Sequence, residues 1–307
     1  MKLRQLVMTA IASAGVATVV ASQASGTFAG SNGRIAFTMR TEIGDFDVYT
    51  MNPDGTALFQ VTTDPARDFN PRWSPDGSRI AFSSNRDGDF DIYVVNADGT
   101  GLVRITGTPT DTAGDFVPSW TADGSQIVFQ RPFPLESAEI WIANSDGSGG
   151  EAKLADGFVP GASSRGRKVA YTGRADNSLH VLNLEDGSDR TITSGAFDAE
   201  PNWSPTGNDL VFSRAESSDA FSDIYAGHAN GTGLVQLTDT DAPFQSGSAV
   251  WSPDGTLIAF TTCDFTGSAQ GDCTIETMNR DGTGRTPIAI EGKLFRVGGR
   301  IDWQPTR

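Results

Sequence analysis

One signature returns along the chain as Trp73-Ser-Pro-Asp-Gly77, Trp120-Thr-Ala-Asp-Gly124, Trp203-Ser-Pro-Thr-Gly207 and Trp251-Ser-Pro-Asp-Gly255, and its beginning returns once more as Trp303-Gln-Pro305. The tryptophans stand 47, 83, 48 and 52 positions apart. A period of this length means small supersecondary units that bury their apolar faces only by stacking on neighbours. The interval of 83 is close to two periods, so a degenerate copy is expected inside it. Seven residues after each complete Trp comes an apolar triplet: Ile80-Ala81-Phe82, Ile127-Val128-Phe129, Leu210-Val211-Phe212 and Ile258-Ala259-Phe260. Counting back from Val169-Ala170-Tyr171 puts the missing Trp at Ala162, its turn glycine at Gly166 and its preceding proline at Pro160, as Pro118 precedes Trp120.

A second signature follows each triplet: an aromatic, two residues, Asn, then an Asp-Gly turn. Tyr49 to Gly55, Tyr93 to Gly99 and Trp141 to Gly147 carry it fully. His180 to Gly187, Tyr225 to Gly231 and Glu276 to Gly282 carry weaker forms. Val61-Thr62, Ile105-Thr106, Ile192-Thr193 and Leu237-Thr238 mark a fourth segment. Each unit therefore reads as four short strands bounded by Pro, Asp and Gly, which is the pattern of a propeller blade. Ile35-Ala36-Phe37 is a second strand with no Trp leader, and Arg300-Ile301-Asp302-Trp303 is a first strand with nothing after it. Phe28 competes for the leader's place, and Trp303 is preferred for its Gln-Pro. Joining the two ends leaves no long open edge. The expected fold is all-β: a six-bladed β-propeller of four-stranded blades, closed by pairing of the N- and C-terminal strands.

Residues 1–24 read as an export signal: Lys2 and Arg4 precede an apolar run from Leu6 to Ala21, and Ser22-Gln23-Ala24 offers a cleavage site, with Val19-Val20-Ala21 as a second. The alternative, an uncleaved anchor, has a run shorter than the ~20 residues of a spanning helix. Residues 25–32 read as a short linker and 33–307 as the propeller, with no transmembrane span in the mature chain. The expected location is periplasmic, cell-envelope or extracellular. Cys263 and Cys273 flank a polar loop between two strand-like runs, and an oxidising compartment favours their pairing. With 23 basic against 38 acidic residues and a formal charge of -15, the surface repels phosphate backbones, so nucleic acid is not an expected partner.

Trp-Ser-Pro-Asp-Gly, Ile-Ala-Phe, Ser84-Asn-Arg-Asp-Gly88, Asp91-Ile-Tyr93 and Asn96-Ala-Asp-Gly-Thr-Gly101 resemble the WD-like repeats of TolB-type propellers. The likeness is best in 71–106 and extends over about 34–307. TolB itself carries an α/β domain before its propeller, which the segment before residue 34 is too short to supply. The resemblance implies a scaffold rather than an activity, because the matching residues are turns and strands. Some relatives with similar repeats are lyases. These resemble seven-bladed propellers with a histidine metal site, which a chain with two histidines cannot build.

The two Asp-Gly turn types are expected on one face, and the irregular loops on the other, where binding residues on rigid scaffolds concentrate. Asp next to Phe recurs there. The candidate ligand-binding residues at the channel mouth are Arg67, Asp68, Phe69, Asp115, Phe116, Phe158, Phe197, Asp198, Phe244, Phe295 and Arg296. The alternative has the Phe side chains filling space between blades and the Asp carboxylates capping loop amides. Asn85 to Asp91 alternates oxygen ligands as a calcium loop does, but Phe90 and Asn96 stand where an EF-hand needs Gly and Glu. Asp87 and Asp89 remain weak candidates for a looser Ca²⁺ site, and no other cofactor is expected. His180 and His228 occupy repeat positions, and no Gly-x-Ser-x-Gly elbow is present, so no catalytic residue is assigned. The expected function is a monomeric, non-catalytic scaffold for a protein or peptide ligand. The alternative is a secreted carbohydrate- or polymer-active enzyme using channel carboxylates.

Overall fold

A computed structural model describes residues 27–40, 45–107, 114–131, 138–216, 220–266, 272–290 and 297–306. Its regular structure is all strand. In chain order these are β1 (Ser31–Arg40), β2 (Phe46–Met51) and β3 (Phe59–Gln60); then β4 (Asp68–Trp73), β5 (Arg79–Ser84), β6 (Asp91–Asn96) and β7 (Val103–Arg104). Next come β8 (Phe116–Trp120), β9 (Gln126–Arg131), β10 (Glu139–Asn144) and β11 (Ala152–Ala162), followed by β12 (Lys168–Gly173), β13 (Leu179–Asn183) and β14 (Asp189–Thr191). The remainder are β15 (Phe197–Trp203), β16 (Asp209–Ala215), β17 (Asp223–His228), β18 (Val235–Gln236), β19 (Phe244–Trp251), β20 (Leu257–Asp264), β21 (Asp272–Asn279), β22 (Thr286–Pro287) and β23 (Val297–Thr306).

The fold is a β-propeller. β4 to β7 and β15 to β18 are separate four-stranded antiparallel sheets. β8 to β14 form one seven-stranded sheet, and β19 to β23 with β1 to β3 form one of eight. Closure runs through β23 and β1, which pair Trp303 with Ile35 and Ile301 with Phe37. Trp303, not Phe28, leads the first strand. β11 departs from the expected pattern. Its residues Ala152–Asp156 pair with β10, and Gly157–Ala162 pair with β12, so one unbroken strand ends one blade and begins the next.

Turn chemistry explains the regularity. In Ser74-Pro-Asp-Gly77 the Asp76 carboxylate accepts from the Ser74 and Ser78 hydroxyls at 2.6 and 2.8 Å and from the Ser78 N–H at 3.0 Å. Gly77 takes φ +70°, where a Cβ would stand 2.2 Å from the Pro305 carbonyl oxygen, so only glycine fits. The two turn types of a blade bond to each other, as in Ala97 N–H to Ser78 O and Ser145 N–H to Ser125 O, which confirms that they share a face.

Two of the repeat tryptophans stitch neighbouring inner strands together. Trp120 Nε1–H donates to Arg72 O at 3.1 Å, and Trp203 Nε1–H donates to Gly161 O at 2.9 Å, each reaching the inner strand before its own. Ala162 cannot do this. There the Ser119 hydroxyl accepts from the Ala162 N–H at 2.8 Å, and the continuous β11 supplies the connection instead.

Each inner strand also carries a β-bulge at one repeat position. Asn70, Val117, Val159, Glu200 and Ser248 take φ values of 61°, 67°, 59°, 67° and 55°. Val in this region is strained. Bulges re-aim side chains, and these residues are all buried. Arg72 and Glu200 come from β4 and β15, and Arg300 and Asp302 from β23; their charges interact along the ring axis. Arg72 Nη1 donates to Ile301 O at 2.6 Å and lies 3.5 Å from Asp302, whose other oxygen accepts from Trp73 N–H at 2.7 Å. The Glu200 carboxylate accepts from Ser248 N–H at 2.6 Å and the Ser213 hydroxyl at 3.0 Å. Two guanidinium groups against two carboxylates balance in formal charge, which a buried cluster requires.

Of residues 25–32, read from the sequence as a short linker, those from Thr27 onward lie against the ring. Thr27 N–H donates to Trp203 O at 2.9 Å, and Gly30 N–H donates to Pro253 O at 3.2 Å. Phe28 is buried in the cluster of Trp120, and Ser31 pairs with Thr306. The segment thus straps the Pro-Asp-Gly end of the channel.

Two outcomes follow. Trp203→Ala removes a buried indole and its interblade bond, and should cost about 3–5 kcal/mol of stability, read from urea midpoints. Burial pushes the carboxyls of Asp47 and Asp302 up to about 6 and that of Asp91 up to about 7. A folded-state value above the unfolded one stabilises at low pH, and the contribution is lost as pH rises through 6–7. Melting temperature should therefore fall between pH 5 and pH 8, and Asp47→Asn should flatten that slope.

Candidate functional site

The irregular-loop face is built by the starts of the inner strands and by the hairpins joining second to third strands. These hairpins hold the next blade: Phe90 O accepts from Asp115 N–H at 2.5 Å, Asn177 O from Asp198 N–H at 3.0 Å, and Ser222 O from Ser246 N–H at 2.9 Å. At the last seam before closure, Cys273 of β21 pairs with Val297 of β23. Cys273 is also disulfide-bonded to Cys263, directly opposite on β20.

The acidic members of the expected mouth point inward. Asp68, Asp115 and Asp198 are fully buried, each against an arginine from the same blade. Asp68 accepts from Arg86 at 3.1 and 3.2 Å; Asp115 from Arg131 at 2.7 and 2.8 Å; and Asp198 from Arg214 at 2.6 and 2.8 Å. Each arginine lies over an aromatic of the repeat: Arg86 over Tyr93 at 4.9 Å, Arg131 over Trp141 at 4.7 Å, and Arg214 over Tyr225 at 5.1 Å. Forked hydrogen bonds plus cation–π contact make a rigid brace. These carboxylates hold loops in place rather than offering a charge to solvent.

The aromatic members form the surface. Phe46, Phe69, Phe90 and Phe116 run as one row, with ring centroids 5.0, 6.1 and 4.7 Å apart. All four are half-buried. Phe69 and Phe116 were expected; Phe46 and Phe90 come from the Asp-Phe-Asp hairpins, whose recurrence at 45–47 and 89–91 was the available signal. Phe244 is exposed, and nearby Phe221 and Phe265 stand 6.0 Å apart. Phe158 and Phe197 are half-buried; Phe197 borders a slot of about 10 Å³ above Glu200, on the margin of holding one water. Arg67 is exposed, and its N–H is held by the Asn85 side chain at 2.8 Å. Phe295 and Arg296 lie outside the described residues.

The acidic hairpin considered for Ca²⁺ is tied to its own blade. Asp87 accepts from the Tyr93 hydroxyl at 2.5 Å and lies 3.6 Å from Arg104, which also binds Asp91 at 2.6 Å. Asp89 is half-buried in the same hairpin. Among the described residues no three His, Cys, Asp or Glu side chains converge as a metal site. His180 packs on Tyr171 with tilted rings 5.3 Å apart and Nε2 3.1 Å from Asp176, and the exposed His228 places Nδ1 2.6 Å from Asp209. Among the described residues no helix is long and apolar enough to cross a membrane.

Comparison with known proteins places this architecture. The chain is 46% identical over 56 residues to the Protein TolB homolog of Chlorobium luteolum, a match spanning 18% of this chain and only 13% of that protein. TolB from Acinetobacter baumannii superposes with a TM-score of 0.72 at 18% identity, over 89% of this chain and 67% of that one. A putative TolB from Agrobacterium tumefaciens gives 0.63 at 14% identity, over 90% of this chain and all of that one. At these identities the structures show the fold alone. The TolB beta propeller domain family matches residues 3–159 and again 69–241. The chain belongs to the TolB beta propeller domain family.

Proposed function

We propose that the protein is an exported, monomeric, non-catalytic scaffold whose irregular-loop face binds a protein or peptide. The observation that carries this reading is the continuous row Phe46, Phe69, Phe90 and Phe116, half-exposed and seated on the Asp–Arg braces. Pre-organised aromatics on a rigid base lose little entropy on binding and make good anchors. Phe221, Phe244 and Phe265 extend apolar surface to another part of the face. The strap at residues 27–30 occupies the opposite end of the channel, so a ligand approaches from the loop face.

The ring is read as six blades. β11 divides between two of them at Asp156/Gly157, and the single Cys273–Val297 pair joins two more into the eight-stranded sheet. Export through the leader at 1–24, with cleavage after Ala24, suits a chain with a Cys263–Cys273 disulfide.

The test is capture from cell-envelope extract by immobilised mature protein. A specific partner should be retained by the wild type and lost by at least about tenfold from Phe69→Ala/Phe116→Ala, since hot-spot aromatics each carry 2 kcal/mol or more. Circular dichroism should show the variant folded. Equal recovery on both columns, or none above a blank, ends this reading.

A further inference from the structure

Between β14 and the sheet of β16 to β18 lies a cavity of about 190 Å³. It lies where the repeat is broken. The third strand of each blade places one apolar side chain opposite the first residue of the triplet: Met51 opposite Ile35, Val95 opposite Ile80, Ala143 opposite Ile127, Leu182 opposite Val169, and Met278 opposite Ile258. All five are buried. In the blade of β15 to β18 that position, opposite Leu210, is Gly227.

Nothing in the backbone demands glycine there. Gly227 is not among the residues of positive φ. A Cβ on it would meet Leu234 Cα and Thr232 O at 3.6 Å, ordinary contact distances. The void is therefore not a by-product of turn geometry. The following residue departs as well: His228 stands where Asn52, Asn96, Asn144, Asn183 and Asn279 stand elsewhere. Both substituted positions line the cavity. Ile192 at the cavity wall is half-buried, as Leu237 is at the same repeat position in the next blade, whereas Val61, Ile105 and Ile288 are buried.

The cavity's chemistry is divided. Leu210, Phe212, Ile192 and Leu234 make the apolar part of its lining, beside Arg214 and the polar groups of the rim. The rim carries the hydroxyls of Thr193 and Ser194 and the His228 imidazole. Thr193 Oγ1 accepts from Leu179 N–H at 2.9 Å, which leaves its own proton to donate. The charge nearest the interior, Arg214, is engaged by both oxygens of Asp198. Enclosed apolar cavities of about 150 Å³ accept benzene, so a volume of about 190 Å³ has room for a small ring with its polar group at the open rim. We propose that this cavity is a binding site for a small, neutral, single- or fused-ring aromatic molecule bearing one hydrogen-bonding group, its ring against Leu210 and Phe212 and its polar group at the Thr193–His228 rim. The site shares Arg214 with the braces of the loop face but includes none of the phenylalanines of its row.

Phenol and indole serve as probes of the mature protein, by ligand-observed NMR and thermal shift. Saturable binding with a Kd below about 1 mM is expected for at least one of them. Gly227→Val restores the side chain that Val95 supplies in its own blade, and should weaken binding by about tenfold or more while leaving the melting temperature unchanged or raised, because it fills a void. Gly227→Ala should fall between, and decides the matter if the valine variant does not fold. Non-saturable binding up to the solubility of both probes, or equal affinity in wild type and Gly227→Ala, overturns the proposal. Loss of partner capture by the phenylalanine variants would leave this result untouched.

Discussion

The antiparallel pairing of β1 with β23 is the contact on which the other seams rest. An open row of blades would leave the first and last strands with unsatisfied edges and a severed apolar core. Closure does more than cap an edge. It brings Asp302 and the Ile301 carbonyl to Arg72, and gives Trp73 N–H its acceptor, so the first complete Trp repeat is anchored by the last strand of the chain. Trp120 then bonds back to Arg72, passing the constraint to the next blade. The ion cluster of Arg72, Glu200, Arg300 and Asp302 exists only because residues more than 200 positions apart meet on the ring axis.

The blades were legible because the chemistry that makes them is local. Asp76, Gly77 and their neighbours close a turn within five residues, and the repetition of such turns exposes the period even where Ala162 has replaced the tryptophan. Pairing across the chain was not legible in the same way. Asp68, Asp115 and Asp198 look like solvent-facing groups beside Phe or before it, and only the fold shows Arg86, Arg131 and Arg214 returning from 16 to 18 residues later to cover them. Nor does any local pattern reveal that β11 runs through a seam, or that residues 27–32 fold back on the turn face. Phe46 and Phe90 were visible in a repeated motif, but their contact with Phe69 and Phe116 is made between blades.

The two faces thus differ in how their order is maintained. On the turn face, short carboxylate–hydroxyl networks fix each loop by itself, and their hydrogen bonds hold Asp54, Asp98 and Asp281 below the usual carboxylate range. On the loop face, order comes from braces and from hairpins that grip the next blade. Surface there can change composition without disturbing the braces beneath it.

That freedom has a gap among the described residues. Wherever a loop joins two blades, residues can be added at its tip with little cost to the sheets on either side. At the β11 seam there is no tip: Asp156 and Gly157 are consecutive ladder residues serving two different partners. An insertion there would slip one register or the other and turn a whole set of side chains to the wrong side. The sector around Phe158 is therefore fixed in length by two ladders at once.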